Sequence, residues 1–494
     1  MIGAPRWIAL TAVAAALVLF ASAGVAGAAP TPHYPQPGLL NPAFVEALHQ
    51  PLAGVFGKLP NPVKVQMDSA PTARLRSAVL PAAYDLRTLH LLSPVRDQEQ
   101  WGTCWAFANL AAVESNLLIK NQRWDFSEDN LVSRSGYGPF PGGPYEWGGW
   151  DFMAVAYLTR WAGPVNEVDD PYHTPVPPAK NVARKHVQGV VMLPGRTGPL
   201  DNDVIKQMVM QNGALSVGMF YARAFDSFDY GAADPPSTAT YYCNVAAGET
   251  YSGYTVGENH GVDVVGWDDG FPAARFSASA AGVPPGDGAF LVRNSWGGAW
   301  GDHGYFWVSY YDRSFAWDEC TSYSRVDPAS DYSRNYQYDT LGWTTSVGYP
   351  DVADPSVAWA ANRFTAKGNE RIVAEGFYAP AAGTEYQVWA GASLTTLTLR
   401  GSGTATLPGF VTADLSTALK VHTGGRFVVA VRVHTPGDAQ PIAVEEPAER
   451  WESGATAKPG QSFMRSGDGD AWTDLHGDPS TTNANVCLKA YAHR

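Results

Sequence analysis

The sequence predicts an α+β chain in two parts: a domain with helices first and antiparallel strands after, then an all-β sandwich. Three observations carry this reading. An apolar helical run opens at Cys104, and two further helical stretches follow it before residue 161. Between 214 and 311, β-branched and aromatic runs alternate with Gly-rich loops. Beyond residue 330 only short strand-like runs remain, separated by Gly, Pro and Thr/Ser turns.

At 494 residues, two domains plus processing segments are expected. A hydrophobic content of 45% with 17 Trp is enough for large cores, so global disorder is excluded. The net charge of −13 argues against nucleic-acid binding. The sequence contains no glycine-rich phosphate loop, zinc-type Cys/His cluster or acidic calcium loop, so neither a cofactor nor a metal is expected.

Residues 1–28 read as a secretory signal. Arg6 supplies the positive start, Trp7 to Phe20 the apolar core and Ala26-Gly27-Ala28 a small-residue cleavage site, with Ala21-Ser22-Ala23 as a second candidate. A retained membrane anchor is the alternative, weakened because small residues dilute the end of the run. No other segment is apolar enough to span a bilayer, so the mature chain is expected to be secreted.

The densest chemistry follows the run Gln98-Glu99-Gln100-Trp101-Gly102-Thr103-Cys104-Trp105. From Cys104 the spacing of Trp105, Phe107, Ala108, Ala111, Ala112, Leu117 and Leu118 predicts a helix, with Glu114 and Asn116 among them. A helix start favours a thiolate over a thiol. Cys104 is therefore a candidate nucleophile, and Gln98 a donor to an oxyanion beside it. A lone cysteine there is more often a small buried hydrophobe. Two distant runs favour the first reading: Asn259-His260-Gly261, which opens a β-branched stretch, and Asn294-Ser295-Trp296-Gly297. A Cys–His–Asn set supplies a nucleophile, a proton carrier and a side chain that fixes the imidazole tautomer.

In these residues the chain resembles the papain-family cysteine proteases over roughly 81–325. It departs from their pattern at Trp101, where relatives carry a disulfide-forming cysteine. The resemblance implies a papain-like two-lobed catalytic domain, with Cys104, His260, Asn294 and Gln98 at a site between the lobes. It also implies that Trp296 shields the Asn–His hydrogen bond, while Trp300 is plain packing. The Gly148-Gly149 pair would offer bare backbone to an extended substrate, with Asn259 and Gly261 flanking the histidine.

Residues 29–80 are Pro-rich at first, then amphipathic around Phe44, Val45, Leu48, Leu52, Val55 and Phe56. They are either an inhibitory pro-segment lying along the cleft or a permanent N-terminal strap, with Arg74 to Arg76 as an accessible processing point. The mature domain is expected at 81–328. Phe126-Ser127-Glu128-Asp129-Asn130 predicts a second short helix, 151–161 a third, and 201–212 a fourth capped near Asp201. Strands are predicted over 214–221, 261–267, 289–294 and 305–311. His303 is expected at a surface turn.

If Cys104 is free, the other three cysteines allow three single disulfides. Cys243–Cys320 is preferred because both fall in the second lobe, and Cys320–Cys487, tying the domains together, competes with it.

Strands are predicted over 357–364, 371–378, 386–390, 410–415, 426–433 and 486–492. The runs around Tyr336 to Trp343, Ala360 to Thr365 and Glu375 to Tyr378 resemble the lectin-like β-sandwich domain of some microbial papain-family proteases, covering 332–494. That likeness makes a carbohydrate or cell-surface ligand a candidate partner. Trp389 and Trp451 could stack on sugars or simply pack.

Together these resemblances imply a secreted cysteine endopeptidase, made as a zymogen and acting on polypeptide substrates. The alternatives are a non-catalytic surface or carbohydrate-binding protein on the same scaffold, and a thiol acyl transferase.

Overall fold

The buried axis of the first domain is the helix Cys104–Ile119, whose residues through Leu118 are all buried. A helix that is apolar all round belongs inside a core. This one packs against the helices Glu128–Arg134 and Asp151–Thr159 and against the strand His260–Asp268. It stops at Asn121, whose φ of 56° lets the N–H groups of Asn121 and Gln122 return to the carbonyls of Leu118 and Leu117.

The computed structural model describes residues 34–48, 56–67, 79–138, 143–173, 182–228, 239–447, 455–478, 480, 481 and 483–494. Residues 1–28, read above as a secretory signal, and Leu52, Val55, Arg74 to Arg76 and Trp451 lie outside the described residues.

Ser127 caps the second helix, its hydroxyl accepting from the Asn130 N–H at 2.9 Å. The third helix, Asp151–Thr159, ends two residues before Trp161, the end the sequence suggested. The fourth is Asp203–Asn212 with Asn202, not Asp201, at its cap. Asp201 instead accepts from the hydroxyl and N–H of Thr197.

The predicted strands form, with ends shifted by a few residues, as Leu215–Met219, His260–Asp268, Ala289–Arg293 and Tyr305–Ser309. Besides several shorter strands, three of eight or nine residues carried too little alternation to be read from sequence: Lys185–Leu193, Cys320–Pro328 and Thr398–Ala405. His303 lies exposed in a turn, with φ 54°.

The second domain is a β-sandwich. One leaf runs Thr398–Ala405, Thr384–Gly391, Arg426–His434, Val357–Thr365, Ser462–Arg465 and Thr473–Asp474. The other contains Arg334–Tyr336, Leu488–His493, Glu370–Ala379 and Gly409–Val421, and it does not stop at the domain edge. Gly409 and Phe410 pair with Val191 and Val190 of Lys185–Leu193, carrying the sheet into the first domain. The core is shared in the same way: Leu341, Trp343, Tyr378, Phe410 and Cys487 belong to the cluster that holds Leu110, Phe152 and Val155. Trp343 stacks on Phe152 with ring centres 5.3 Å apart. Trp389 is half-buried and packs at 5.2 Å against Trp359.

The expected disulfide is absent. Cys104, Cys243, Cys320 and Cys487 are all free and buried. Cys243 and Cys320 share one core, but each thiol faces a nearby carbonyl, of Val245 and Asp318 respectively. Cys487 is sealed in the core between the domains. Each thiol acts as a small apolar filler, which is how a free buried cysteine ordinarily packs.

Candidate active site

Sheet register brings the remote residues together. His260 opens the strand His260–Asp268, paired with Met219 on one side. On the other side Arg293 pairs with Asp263, so the chain leaves its strand at Asn294, beside the histidine. The helix Cys104–Ile119 begins against the same strand end. The Gly261 N–H donates to Cys104 Sγ at 3.1 Å, so the sulfur lies one residue from the imidazole-bearing backbone.

His260 Nε2 lies 2.8 Å from Asn294 Oδ1. An amide oxygen only accepts, so this contact assigns the ring proton to Nε2 and leaves Nδ1 as the basic nitrogen. Trp296 stacks over the His260 ring, centres 4.6 Å apart and planes 21° apart, and Trp300 meets Trp296 edge-on at 5.0 Å. The Gln98 amide is fixed by its surroundings: Ser295 Oγ donates to Oε1 at 2.6 Å, and Nε2 donates to the carbonyl of Trp101. Ser295 is a positioning residue that sequence reasoning missed, although it lies inside the Asn-Ser-Trp-Gly run.

Across these groups runs another part of the chain, residues 56–59. The Phe56 carbonyl accepts from Gln98 Nε2 at 3.0 Å, and its N–H donates to the Asn259 carbonyl at 3.0 Å. Gly149 donates to the Gly57 carbonyl at 2.8 Å and accepts from the Leu59 N–H at 2.9 Å, a parallel bridge centred on Lys58. Gly148 lies against the same Gly57 carbonyl. The Phe56 ring fills the space between His260, Trp296 and Tyr221, with centres 5.3 to 5.5 Å away. Glycine is required at 57, where φ is +118° and a Cβ would lie 2.2 Å from the Gly102 carbonyl carbon. Upstream, the helix Pro42–Ala47, capped by Asn41, plants Phe44 on Trp150.

The covering strap changes the electrostatics that a bare helix start would give. Cys104 and His260 are wholly buried. Burial pushes the Cys104 thiol up to about 12, against the Gly261 hydrogen bond and the nearby Lys58 charge, which favour the thiolate. Burial pushes His260 down to about 4, against its bond to Asn294. Burial thus favours the neutral form of both groups, against the thiolate that a bare helix terminus favours.

The structure thus brings Gln98, Cys104, Gly148, Gly149, Asn259, His260, Gly261, Asn294 and Trp296 to one place. Such a set can attack a carbonyl with sulfur, move a proton through an imidazole and hold an oxyanion. Sequence reasoning missed Lys58, Asp151 and Glu258, charged groups packed beside it. For Asp151 and Glu258 the only sequence signal was position, directly after Gly148-Gly149-Trp150 and directly before Asn259.

Residues 80–325 match the family described as papain family cysteine protease, and 335–492 match the lectin like domain family. A viral cathepsin of Cydia pomonella granulosis virus is 26% identical over 234 residues, 47% of this chain and 58% of that protein. Peptidase 1 of Dermatophagoides farinae is 29% identical over 250 residues, 49% of this chain and 66% of that protein. The chain therefore spans less than two thirds of the length of these relatives. Among solved structures, the cysteine protease and lectin-like domains of Cwp84, a surface layer associated protein of Clostridium difficile, superpose with a TM-score of 0.75 at 21% identity. The match covers 93% of this chain and 98% of that one. A second Cwp84 structure, after propeptide cleavage, gives a TM-score of 0.68 at 22% identity, covering 83% of this chain and 98% of that one. These matches establish the fold: a papain-like domain joined to a lectin-like sandwich.

Proposed function

We propose that this chain, in which residues 80–325 are a papain-family cysteine protease domain and 335–492 a lectin-like domain, is a secreted cysteine endopeptidase held inactive by its own N-terminal strap. The observation that carries the reading is that Cys104 Sγ, held by the Gly261 N–H, lies one residue from the His260–Asn294 pair, with the Gln98 amide donating to the peptide carbonyl of Phe56.

With the strap gone, Cys104 gives its proton to His260 Nδ1 and its sulfur attacks the substrate carbonyl carbon. The oxyanion is held by Gln98 Nε2 and the Cys104 N–H. The C–N bond then breaks, the amine leaves with the proton from His260, and a thioester remains on Cys104. Water, deprotonated by His260, cleaves the thioester and restores the thiol. Asn294 keeps the ring in the tautomer this cycle needs.

Residues 34–67 act as the inhibitory segment in this reading. It is supported by the strap's backbone bonds to Gly149 and Asn259, the groups an extended substrate would use. The Cwp84 structure solved after propeptide cleavage fits the same scheme. The signal-like residues 1–28 support export, and the lectin-like domain supports a ligand on a cell surface.

The test is hydrolysis of an unlabelled protein substrate by the processed chain and by Cys104→Ala. Loss of roughly 10⁴-fold or more in kcat/KM is expected. Activity that survives the substitution would remove the assignment.

A further inference from the structure

Lys58 sits at the centre of the parallel bridge to Gly149, with its side chain turned into the protein. Its Nζ lies 2.7 Å from Asp151 Oδ2, and neither side chain has any exposure. Glu258 is a second carboxylate acting on the same ammonium. Both Glu258 oxygens are buried, and the Asp318 backbone also favours their carboxylate form. The backbone is shaped for this carboxylate: a Cβ on Gly218 would lie 1.9 Å from the Glu258 carboxyl carbon, so only glycine leaves it room.

Burial alone would lower the Lys58 ammonium, yet the Asp151 and Glu258 charges hold it above its usual value. Glu258 itself is pushed up to about 8, mainly by burial, with Lys58 opposing. An aliphatic side chain in this place would leave the Asp151 carboxylate without its ion-pair partner and remove the charge that opposes burial at Glu258. Asp151 is anchored from behind, accepting from Asn109 Nδ2 at 2.7 Å, so the pocket is built rather than induced.

We propose that Asp151, Glu258 and Gly218 form a selectivity pocket for a basic side chain, and that the preferred substrates are polypeptides presenting lysine, with arginine second, to it. Lys58 occupies the pocket in cis until the strap departs. The inference rests on the peptidase reading above and adds the substrate class. A substrate residue whose backbone pairs with Gly149 directs its side chain where Lys58 now lies. The ammonium then replaces the one lost with the strap.

The test uses the full-length chain, cut by added trypsin at Arg74 or Arg76 and then freed of trypsin. It is given a peptide library randomised over three residues on each side of the cleaved bond, with products read by mass spectrometry. A single position favouring Lys, then Arg, over Leu or Glu by about 30-fold or more in kcat/KM is expected. Glu258→Gln is expected to reduce that preference by at least about tenfold, and Glu258→Leu to shift it toward apolar residues. Cleavage with no basic preference, or a preference untouched by Glu258→Gln, overturns the pocket while leaving the peptidase standing. No cleavage of any peptide overturns the peptidase reading and the pocket with it.

Discussion

The side-chain amide of Gln98 donates to the carbonyl of Phe56 at 3.0 Å. The donor suited to a substrate oxyanion is thus occupied by the chain's own backbone, while Gly149 holds the next carbonyl along. In the proposed reading, the contacts that would bind a substrate hold the strap. Release of the strap therefore changes hydration at Cys104 as well as access to it.

Alkylation reads this directly. Beneath the strap the Cys104 thiol is pushed up to about 12 and His260 down to about 4, so the intact chain is expected to react slowly with iodoacetamide at pH 5–6. After strap release, water returns and a thiolate–imidazolium pair forms, raising the rate by at least about 100-fold. Equal rates before and after release would mean that the strap does not control the thiol.

Gly57→Ala separates strap seating from the fold. The new methyl would lie 2.2 Å from backbone at Gly102, where nothing can move aside cheaply, and φ +118° disfavours it further. The uncut variant is expected to be alkylated at Cys104 many times faster than the uncut parent, with nearly the same far-UV circular dichroism. An unchanged alkylation rate would show that the strap tolerates the side chain.

The sheet that passes from Gly409–Val421 into Lys185–Leu193, and the core shared by Trp343, Phe410 and Phe152, make the two domains one folding unit. A chain ending at residue 330 would expose the face against which Leu341, Trp343 and Phe410 pack. It is expected to be recovered only as aggregate, and the full chain to melt in one calorimetric transition. Two separable transitions, or a soluble active fragment, would contradict this.

Buried carboxyls set the pH dependence of stability. Burial pushes Glu114, Glu445 and Glu446 each up to about 7, Glu258 to about 8 and Asp312 to about 6. Groups raised in this way favour the folded state most below their unfolded values near 4, and that contribution fades as pH rises through 6 to 8. His260 and His186, each pushed down to about 4 by burial, act oppositely, but only between about 6.5 and 4. More carboxyls than histidines titrate between 4.5 and 6.5, and above 6.5 only the carboxyls do. The melting temperature is therefore expected to be higher at pH 5.5 than at pH 8. A higher value at pH 8 would show that these carboxyls ionise freely in the fold.

The motifs were legible because their chemistry is local. A cysteine at a helix start, a histidine opening a β-branched run and Asn-Ser-Trp-Gly each announce themselves within a few residues. Six of the sandwich strands were legible from their alternation, whereas Arg334–Tyr336, Ser462–Arg465, Thr473–Asp474 and the Gly- and Thr-rich Thr398–Ala405 were not. The disulfide expectation failed because pairing depends on how two side chains face each other, which spacing does not encode. The fourth helix is capped at Asn202, next to Asp201, whose carboxylate accepts from Thr197.

By itself the sequence determined which elements form and which residues could do chemistry, since propensity, periodicity and side-chain type are properties of short stretches. Only the tertiary structure decided that a strap crosses the site, that Lys58 meets Asp151 and Glu258, and that one sheet serves both domains. These are contacts between stretches far apart along the chain, fixed by packing and by the cost of burying a charge without its partner.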